Sequence, residues 1–309
     1  MLVRSKTIFS MKKVYLVLGA NGYVGKKFCS FLREKKCHVI ELSHDAVDYT
    51  CPKQFEEFIQ FNKPRWNNHQ VYVINCAGKT GRPNVDECEI EKADTIRLNV
   101  VLPVTLSDAC MRHGFVFCHV SSGCIYTGTK NRVFDETDAP NFCFSNKNHS
   151  FYSGSKALAE ELLRNNPECY IWRIRMPFDE IDNKRNYLSK LIKYDTLIEA
   201  TNTLTNLNDF FETCHSMLKS DLEMYGVYNI VNDGSITTSE ITDLMNEHLG
   251  LSKQFKFFET HKHFNETVAT PRSNCVLTCA KVNSSPGVTP MPDVRQSIID
   301  ALQTWKGVK

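Results

Sequence analysis

The sequence predicts an α/β fold, in which a Rossmann-like, doubly wound parallel sheet carries a small C-terminal lobe. Three observations support this prediction. Apolar runs of strand length alternate with helix-like segments as far as Pro177, a glycine-rich loop follows the first apolar run, and the alternation stops after Pro177. Strands that alternate with helices form βαβ units, in which the strands lie parallel and are buried on both faces.

The spacing of apolar residues gives the order of the predicted elements. Helices are predicted where apolar residues recur every three or four positions, namely after the glycine-rich loop, around residues 96–104 and over residues 153–165. Pro103 is expected to kink the second helix, because proline cannot donate a backbone hydrogen bond. The strands of the sheet are predicted at residues 14–18, 38–42, 71–75, 115–122 and 169–175.

The segment after Pro177 follows a different pattern. Residues 178–225 are polar and mostly helical in pattern, and residues 227–231 are predicted to return to the sheet as a strand. Thr237 and Glu240 have the spacing of a capping box, so we expect a helix to begin there. This part of the chain is therefore predicted to lie over the carboxyl ends of the strands, where ligands of such folds bind.

Composition and charge exclude several classes of protein. The 309 residues are 42% hydrophobic and 23% charged, and the net charge of +2 argues against a strongly electrostatic binder of nucleic acid or membranes. No apolar run approaches the roughly 18 residues that span a bilayer, and we do not expect the first ten residues to act as a signal peptide. The thirteen cysteines include no C-x-x-C pair, so we expect neither a metal site nor a disulfide framework. The cytoplasm, which keeps thiols reduced, is the expected compartment.

A G-x-x-G-x-x-G loop lies between the first strand and the first helix. In dinucleotide-binding folds the first glycine permits the tight turn, the second lets the backbone approach a pyrophosphate, and the third packs the helix on the strand. Free N–H groups at the helix N-terminus then bind the phosphates. We therefore predict an NAD(P) site here. Its predicted loop residues are Gly19, Asn21, Gly22, Tyr23, Val24 and Gly25.

These elements divide the chain into predicted regions. Residues 1–12 are expected to form an N-terminal extension, and residues 13–177 an NAD(P)-binding Rossmann domain. Residues 178–309 are expected to form mainly a substrate-binding lobe, with residues 226–240 returning to the Rossmann sheet.

The residue after the second strand bears on the choice between NADPH and NADH. An acidic residue there would bind the ribose 2′-hydroxyl of NAD, but the expected position holds Ser43. Because no carboxylate repels a 2′-phosphate at this position, NADPH is the predicted cofactor, and NADH remains an alternative. Four basic side chains are candidate partners of that phosphate: Lys26, Lys27, Arg33 and His44.

One of the four Y-x-x-x-K pairs in the chain has the surroundings of a catalytic pair. Tyr152 and Lys156 open a helix, in which side chains four residues apart share one face, and they follow a strand that ends in Ser-Ser-Gly. An ammonium group near a phenol favours the phenolate and makes the phenol a better acid near neutral pH. The hydroxyl of Ser122 can stabilise the same oxyanion.

Several longer segments resemble a known family. The chain is similar to the bifunctional UDP-4-keto-6-deoxyglucose 3,5-epimerase/4-reductases of UDP-rhamnose synthesis, which are extended short-chain dehydrogenase/reductases of plants and giant viruses. The resemblance extends from the glycine-rich loop almost to the C-terminus. The matching segments are AGKTGRPNVDECE (77–89), TIRLNVV (95–101), SSGCIY (121–126), SFYSGSKALAEELL (150–163), RIRMP (173–177) and TPRSN (270–274).

The resemblance implies a role for each matching residue. Tyr152 would protonate the oxygen at carbon 4 as NADPH reduces that carbon, while Lys156 would lower the pKa of Tyr152 and hold the nicotinamide ribose. Ser122 would hydrogen-bond the substrate carbonyl. Cys124 and Lys190 would be the pair that epimerises carbons 3 and 5. The other implied cofactor residues are Asn75, Ala77, Gly78 and Asn99.

A further set of polar residues is expected to bind the nucleotide sugar. Arg272 and Asn274 suit the pyrophosphate, because a guanidinium binds two phosphate oxygens at once. A separate 4,6-dehydratase is expected to supply the ketosugar, and pairing into a homodimer is left open. The remaining substrate candidates are Arg82, Asn84, Asp86, Arg185 and Asn186.

Two features near Tyr152 depart from the family. Gly154 lies inside the predicted helix, where glycine costs up to about 1 kcal/mol relative to alanine. Residues 141–150 are predicted to form a loop of their own length, which would alter the sugar pocket.

Two other functions remain open on the sequence alone. A monofunctional dTDP-4-dehydrorhamnose reductase would leave epimerisation to another protein, and the presence of Cys124 and Lys190 argues against it. A non-catalytic NADP-binding regulatory subunit could use the same fold. Such a subunit needs no acid relay, so the presence of Ser122, Tyr152 and Lys156 argues against it.

Overall fold

A six-stranded parallel sheet lies at the centre of the computed structural model, which describes residues 12–128, 132–220 and 222–307. The strands of the described residues are β1 (Lys12–Leu18), β2 (His38–Leu42), β3 (His69–Asn75), β4 (Val116–Ser122), β5 (Cys169–Ile174), β6 (Pro177–Phe178), β7 (Thr196–Leu197), β8 (Thr201–Asn202), β9 (Thr205–Asn206), β10 (Gly226–Asn229), β11 (Ile236–Thr237) and β12 (Lys256–Phe257). The order across the central sheet is β10-β5-β4-β3-β1-β2, and neighbouring strands are parallel. The five predicted strands and the returning strand are confirmed.

Helices cover both faces of this sheet. None of those in the described ranges is both long and apolar enough to cross a membrane. The α-helices are α1 (Tyr23–Glu34), α2 (Pro52–Asn62), α3 (Glu87–Ile90), α4 (Lys92–Ile96), α5 (Leu102–His113), α6 (Phe151–Leu163), α7 (Tyr187–Lys193), α8 (Leu207–Lys219), α9 (Thr238–Leu249), α10 (His261–Thr267), α11 (Ala280–Asn283) and α12 (Val294–Gln303). A π-helical turn, Arg97–Val101, joins α4 to α5 just before Pro103, where we predicted a kink. The predicted extension falls largely outside the described residues, and Lys12 already belongs to β1.

Strand β1 illustrates why the sheet is buried on both faces. Tyr15 and Val17 point into one apolar core, together with Phe28 of α1, whereas Val14 and Leu16 point into the other. A strand that alternates between two buried faces has no room for polar residues, which accounts for its continuous apolar run. The Rossmann-like architecture therefore follows directly from the sequence pattern.

The lobe has an apolar core of its own. Phe178, Leu188, Leu244, Met245 and Ile298 are among its buried members, contributed by the segments on both sides of β10. Helix α9 begins with the predicted capping box, in which the Thr237 side chain accepts from the backbone of Glu240 and the Glu240 side chain accepts from Thr237. Short two-stranded sheets tie this lobe together: β8 with β11, β7 with β12 and β6 with β9.

The predicted boundary between the domain and the lobe needs two corrections. Helix α8 lies on the central sheet, since Phe211 stacks on Phe28 of α1 with ring centroids 4.8 Å apart. A parallel connection from β5 to β10 requires a crossover, and α8 lies within that connection. Conversely, Ile236–Thr237 pairs with β8 in the lobe, so residues 226–240 return to the sheet only as far as β10.

The structure explains why a glycine stands inside α6. A Cβ atom at Gly154 would overlap the ring of Phe144, which belongs to the loop preceding the helix. The Phe144 ring also packs edge-to-face on Phe151, with centroids 5.1 Å apart. The loop over residues 141–150 thus packs on the first turns of α6, beside Tyr152. This packing requires glycine at position 154, where alanine would favour the helix more.

We expect Gly154→Ala to lower the free energy of unfolding by about 1–3 kcal/mol, the usual cost of overpacking. In a Phe144→Ala background the same change should raise it by up to about 1 kcal/mol, because only the helix preference of alanine remains. Denaturant unfolding of the four proteins as a double-mutant cycle measures this reversal of sign. An equal loss of stability in both backgrounds would contradict the role given to Phe144.

Candidate active site

A cavity of about 1410 Å³ lies between the carboxyl ends of the central strands and the lobe. The sheet side contributes residues at or just after the ends of β1, β3 and β4, including Asn21, Ala77 and Ser122. The lobe side contributes Lys190 of α7 and Arg272, which precedes α11. The cavity thus brings together residues that are far apart in the sequence.

The glycine-rich loop forms a cradle of bare backbone beside this cavity. Gly19 has a positive φ of 73°, and a Cβ atom there would lie 2.8 Å from the backbone nitrogen of Ala77. A Cβ atom at Gly25 would overlap the carbonyl oxygen of Gly19, so this glycine lets α1 approach the loop. Gly22 is the N-cap of α1 and makes no side-chain capping bond, which leaves N–H groups of the first turn for a phosphate. These features fit a dinucleotide.

The predicted loop residues divide into two groups. Asn21, Gly22, Tyr23 and Val24 line the cavity. Gly19 and Gly25 do not line it and act through the backbone packing just described.

Two predicted cofactor residues lie behind the cavity wall instead of facing it. Asn75 is buried and accepts from the backbone nitrogen of Ala77, 3.0 Å away. Asn99 is also buried; it accepts from the backbone nitrogen of Lys79 and donates to Ser155 Oγ on α6 at 3.0 Å. Ala77 and Gly78 do line the cavity, so the two asparagines fix the position of a loop that faces it.

Most of the basic side chains suggested for a 2′-phosphate already have acidic partners. Lys27 pairs with the buried carboxylate of Asp179, Arg33 pairs with Glu41 at 2.5 Å, and His44 lies 3.2 Å from Asp48. Lys26 lines the cavity.

Ser122, Tyr152 and Lys156 all line the cavity. Ser150 caps α6 by accepting from the backbone nitrogen of Ser153, which places Tyr152 and Lys156 one helical turn apart near the start of the helix. Burial raises the pKa of Tyr152, whereas its interaction with the Ser122 hydroxyl lowers it. Burial lowers the pKa of Lys156 to about 8, and its Nζ donates to the carbonyl oxygen of Val120 at 3.2 Å.

The depressed pKa of Lys156 predicts that stability rises with pH. Between about pH 8 and about pH 10.5 the amine is neutral in the folded chain, while the unfolded chain still binds a proton. The free energy of unfolding should therefore increase across this range relative to Lys156→Met, whose side chain does not titrate. Denaturant unfolding of both ligand-free proteins at several pH values measures this difference, and a difference independent of pH would contradict the assignment.

Cys124 and Lys190 also line this cavity. Cys124 is half-buried, its backbone nitrogen donates to Ser122 Oγ at 3.1 Å, and Arg175 Nη1 donates to its Sγ at 3.5 Å. Burial lowers the pKa of Lys190, and the charge of Arg185 lowers it further. A lysine with a depressed pKa exchanges its proton more readily near neutral pH.

The residues predicted to bind the substrate differ in whether they line the cavity. Asp86 does not line the cavity but forms a two-point ion pair with Arg272, with N–O distances of 2.6 and 2.9 Å. The Arg272 guanidinium holds the pKa of Asp86 below its usual value. The residues of this set that line the cavity are Arg82, Asn84, Arg185, Arg272 and Asn274.

Asn186 does not belong to the cavity lining. It is fully buried as the N-cap of α7, accepts from the backbone nitrogen of Leu188, and donates to the carbonyl oxygen of Asp179 at 2.8 Å. Its side chain is therefore used to begin the helix that carries Lys190, and it does not face a substrate.

Arg175 was not predicted as a site residue, because it lies in an apolar strand context within the RIRMP segment. Asn202 and Ser273, which line the cavity, were also missed. Both accept from the Arg175 guanidinium. In the described ranges no group of three or more His, Cys, Asp or Glu side chains could hold a metal ion.

Comparison with known proteins extends over nearly the whole chain. The family model described as RmlD substrate binding domain matches residues 12–306. The chain is 36% identical over 220 residues to the bifunctional dTDP-4-dehydrorhamnose 3,5-epimerase/dTDP-4-dehydrorhamnose reductase of Arabidopsis thaliana, which covers 69% of this chain and 70% of that protein. A second relative from the same plant is the trifunctional UDP-glucose 4,6-dehydratase/UDP-4-keto-6-deoxy-D-glucose 3,5-epimerase/UDP-4-keto-L-rhamnose-reductase RHM1. It is 33% identical to this chain over 220 residues, which are 69% of this chain and 32% of the RHM1 protein.

Solved structures share the fold. The L780 UDP-rhamnose synthase of Acanthamoeba polyphaga mimivirus superposes with a TM-score of 0.83 at 22% identity, covering 94% of this chain and 99% of that one. The dTDP-4-dehydrorhamnose reductase of Bacillus anthracis in complex with NADP gives a TM-score of 0.76 at 17% identity, covering 94% and 96%. The family model and the plant relatives identify the family: the chain belongs to the RmlD substrate binding domain family.

Proposed function

We propose that the chain converts UDP-4-keto-6-deoxy-D-glucose to UDP-L-rhamnose, by epimerising carbons 3 and 5 and reducing carbon 4. The observation that carries this proposal is that one cavity is lined by Ser122, Tyr152 and Lys156 and also by Cys124 and Lys190. The first three residues suit ketone reduction, and the other two suit proton exchange. The names of the plant relatives, which combine epimerase and reductase, support it.

NADPH is the proposed cofactor, and it supplies the hydride that reduces carbon 4. The glycine cradle would hold its pyrophosphate, and the exposed backbone at Gly78 lies beside Lys156, where a Cβ atom would come within 3.6 Å of Nζ. Lys156 would bind the nicotinamide ribose from there. NADH remains an alternative. Lys26 and Lys27 are the basic side chains of that set that line the cavity, and Lys27 already pairs with Asp179, as Arg33 does with Glu41 and His44 with Asp48.

For the reduction, Tyr152 would donate its phenolic proton to the oxygen at carbon 4. Ser122 would hydrogen-bond the same oxygen, which stabilises the negative charge that develops there. Burial raises the pKa of Tyr152 and the Ser122 hydroxyl lowers it. The ammonium of Lys156, one helical turn away, would also favour the phenolate.

For the epimerisation, the ketone at carbon 4 acidifies the hydrogens at carbons 3 and 5. Cys124 as thiolate would take a proton from one face of the sugar, and Lys190 as ammonium would give a proton to the other face. The carbon thereby inverts, which leaves Cys124 as a thiol and Lys190 as a neutral amine. Both return to their starting forms when a proton passes from the thiol to the amine. A depressed pKa of Lys190 suits this exchange.

The nucleotide would be held by the lobe. Arg272, fixed by Asp86, and Asn274, which accepts from Asn202 at 3.2 Å, are the proposed pyrophosphate partners. A separate 4,6-dehydratase would supply the ketosugar, a reaction that the name of the RHM1 relative includes within one chain. A homodimer and a cytoplasmic location stay predictions.

The experiment that separates the proposed enzyme from a regulatory subunit is NADPH consumption. Purified chain is mixed with NADPH and enzymatically prepared ketosugar, and absorbance of the reduced nicotinamide is followed. We expect oxidation that depends on the ketosugar, with UDP and dTDP forms compared to assign the base. Binding of NADPH without oxidation would favour the regulatory subunit.

A further inference from the structure

The guanidinium of Arg175 touches Cys124 from the protein side. Arg175 is 1% exposed and does not line the cavity, whereas Cys124 does. The Nη1 atom donates to Cys124 Sγ at 3.5 Å, within the range of a hydrogen bond to sulfur. An N–H donor that points at a sulfur stabilises the thiolate more than the thiol.

The other partners of this guanidinium are neutral. Nη1 donates to Ser273 Oγ at 3.0 Å, and Nη2 donates to the Ser273 carbonyl oxygen at 2.8 Å and to Asn202 Oδ1. These contacts fix its position, since they come from two separate segments of the chain. They do not neutralise its charge.

Arg173, on the same strand, shows the contrast. Its guanidinium is equally buried, and it forms an ion pair with Glu160 at 2.7 Å. Among the described residues no carboxylate makes such a pair with Arg175. A buried charge is costly unless it is paired. A thiolate at Cys124 would be the missing counter-charge.

The other titratable groups around this pair do not take that role. Cys275 lies near the guanidinium, but it is 1% exposed, its thiol donates to the carbonyl oxygen of Gly123, and burial raises its pKa. Tyr187 of α7 and Tyr152 of α6 are phenols whose pKa values burial also raises. Lys190 of α7 is a cation and adds to the positive surroundings of the sulfur.

We propose that Arg175 is a positioning residue that holds Cys124 as a thiolate, ready to act as the base of epimerisation. This inference rests on the epimerase activity proposed above. When the sulfur takes a proton from carbon 3 or carbon 5, the counter-charge of Arg175 is lost until that proton passes on to Lys190. The guanidinium therefore favours the return of Cys124 to its active form after each inversion.

The test compares Arg175→Met, which removes the charge, with Arg175→Lys, which keeps it. Exchange of the hydrogens at carbons 3 and 5 is followed by NMR in D2O over a range of pH, without NADPH. We expect Arg175→Met to slow exchange near neutral pH by about tenfold or more and to move its pH midpoint upward, and Arg175→Lys to recover most of the rate. Reduction of ketosugar that is already epimerised should stay near the wild-type rate in both.

Unchanged exchange and an unchanged pH profile in folded Arg175→Met would overturn the inference, while leaving the proposed epimerase intact. Absence of exchange in the wild-type protein would instead overturn the proposed function, and the inference with it. These two failures are therefore distinguishable.

A second measurement decides the matter if Arg175→Met does not fold. Alkylation of the wild-type chain by iodoacetamide is mapped by mass spectrometry at Cys124 and at Cys143, another half-buried thiol, which donates to Asn146 Oδ1 at 3.1 Å. We expect Cys124 to react about tenfold faster near neutral pH, because it faces a cation and not an oxygen. Equal rates would overturn the inference.

Discussion

Tyr152→Phe is expected to lower the rate of ketone reduction by about 10²–10⁴-fold, the usual contribution of a positioned general acid. The phenyl ring still fills the half-buried position of Tyr152 on α6, so the fold and NADPH binding should change little. Proton exchange at carbons 3 and 5 should continue, since Cys124 and Lys190 are untouched. Single-turnover oxidation of NADPH and exchange in D2O, measured on the same preparation, separate the two steps.

Tyr126→Phe is the matched control. Tyr126 is fully buried, its hydroxyl donates to the carbonyl oxygen of Asp138 at 2.7 Å, and it accepts from Arg173 at 3.1 Å. Loss of this hydroxyl should cost about 1–3 kcal/mol of stability. It should leave the rate of reduction by folded protein near that of the wild type. Reduction by Tyr152→Phe at a rate close to that of the control would contradict the assignment of the proton donor.

Cys124→Ala is expected to slow exchange at carbon 3, carbon 5 or both by about 10²-fold or more, because one of the two proposed proton-transfer groups is lost. Reduction of a ketosugar that has already been epimerised should persist, since Ser122, Tyr152 and Lys156 remain. NMR detection of deuterium at each carbon shows which inversion depends on the sulfur.

Cys143→Ala is the control for removing a half-buried thiol. Its sulfur donates to Pro140 and Asn146 in the loop that precedes α6, so the change should affect only the stability of that loop. Full epimerisation by Cys124→Ala would return this residue to a packing role and leave a reductase alone.

The central sheet could be predicted because its signals are local. Each strand is a continuous apolar run, and β1 shows the reason, since its side chains enter two buried cores in alternation. The glycine-rich loop could be recognised from its own spacing, and Gly22 and Gly25 do act on the backbone of Gly19, although Gly19 itself makes room for the backbone of Ala77. Such features need no knowledge of distant contacts.

The lobe was harder to predict, because its contacts join residues far apart in the sequence. Asp86 meets Arg272, and Lys27 meets Asp179, although nothing in the surrounding sequence links the members of either pair. Helix α8 belongs to the sheet because Phe211 packs on Phe28, a contact that composition does not reveal.

Asn186 is a case in which a local signal was present but was not used. An asparagine directly before an apolar helical pattern is a strong N-cap signal, and the structure uses it in that way. Its neighbour Arg185 does line the cavity and donates to Thr80 Oγ1 at 3.0 Å. Of these two adjacent polar residues, Asn186 therefore stabilises the start of a helix, and Arg185 faces the cavity.

The configuration of the product is the most direct test of a single chain that both epimerises and reduces. Purified chain is incubated with UDP-4-keto-6-deoxy-D-glucose and NADPH, and the product sugar is identified by NMR. We expect UDP-L-rhamnose, with carbons 3 and 5 inverted and carbon 4 reduced. A reduced sugar that keeps its original configuration at carbons 3 and 5 would contradict it.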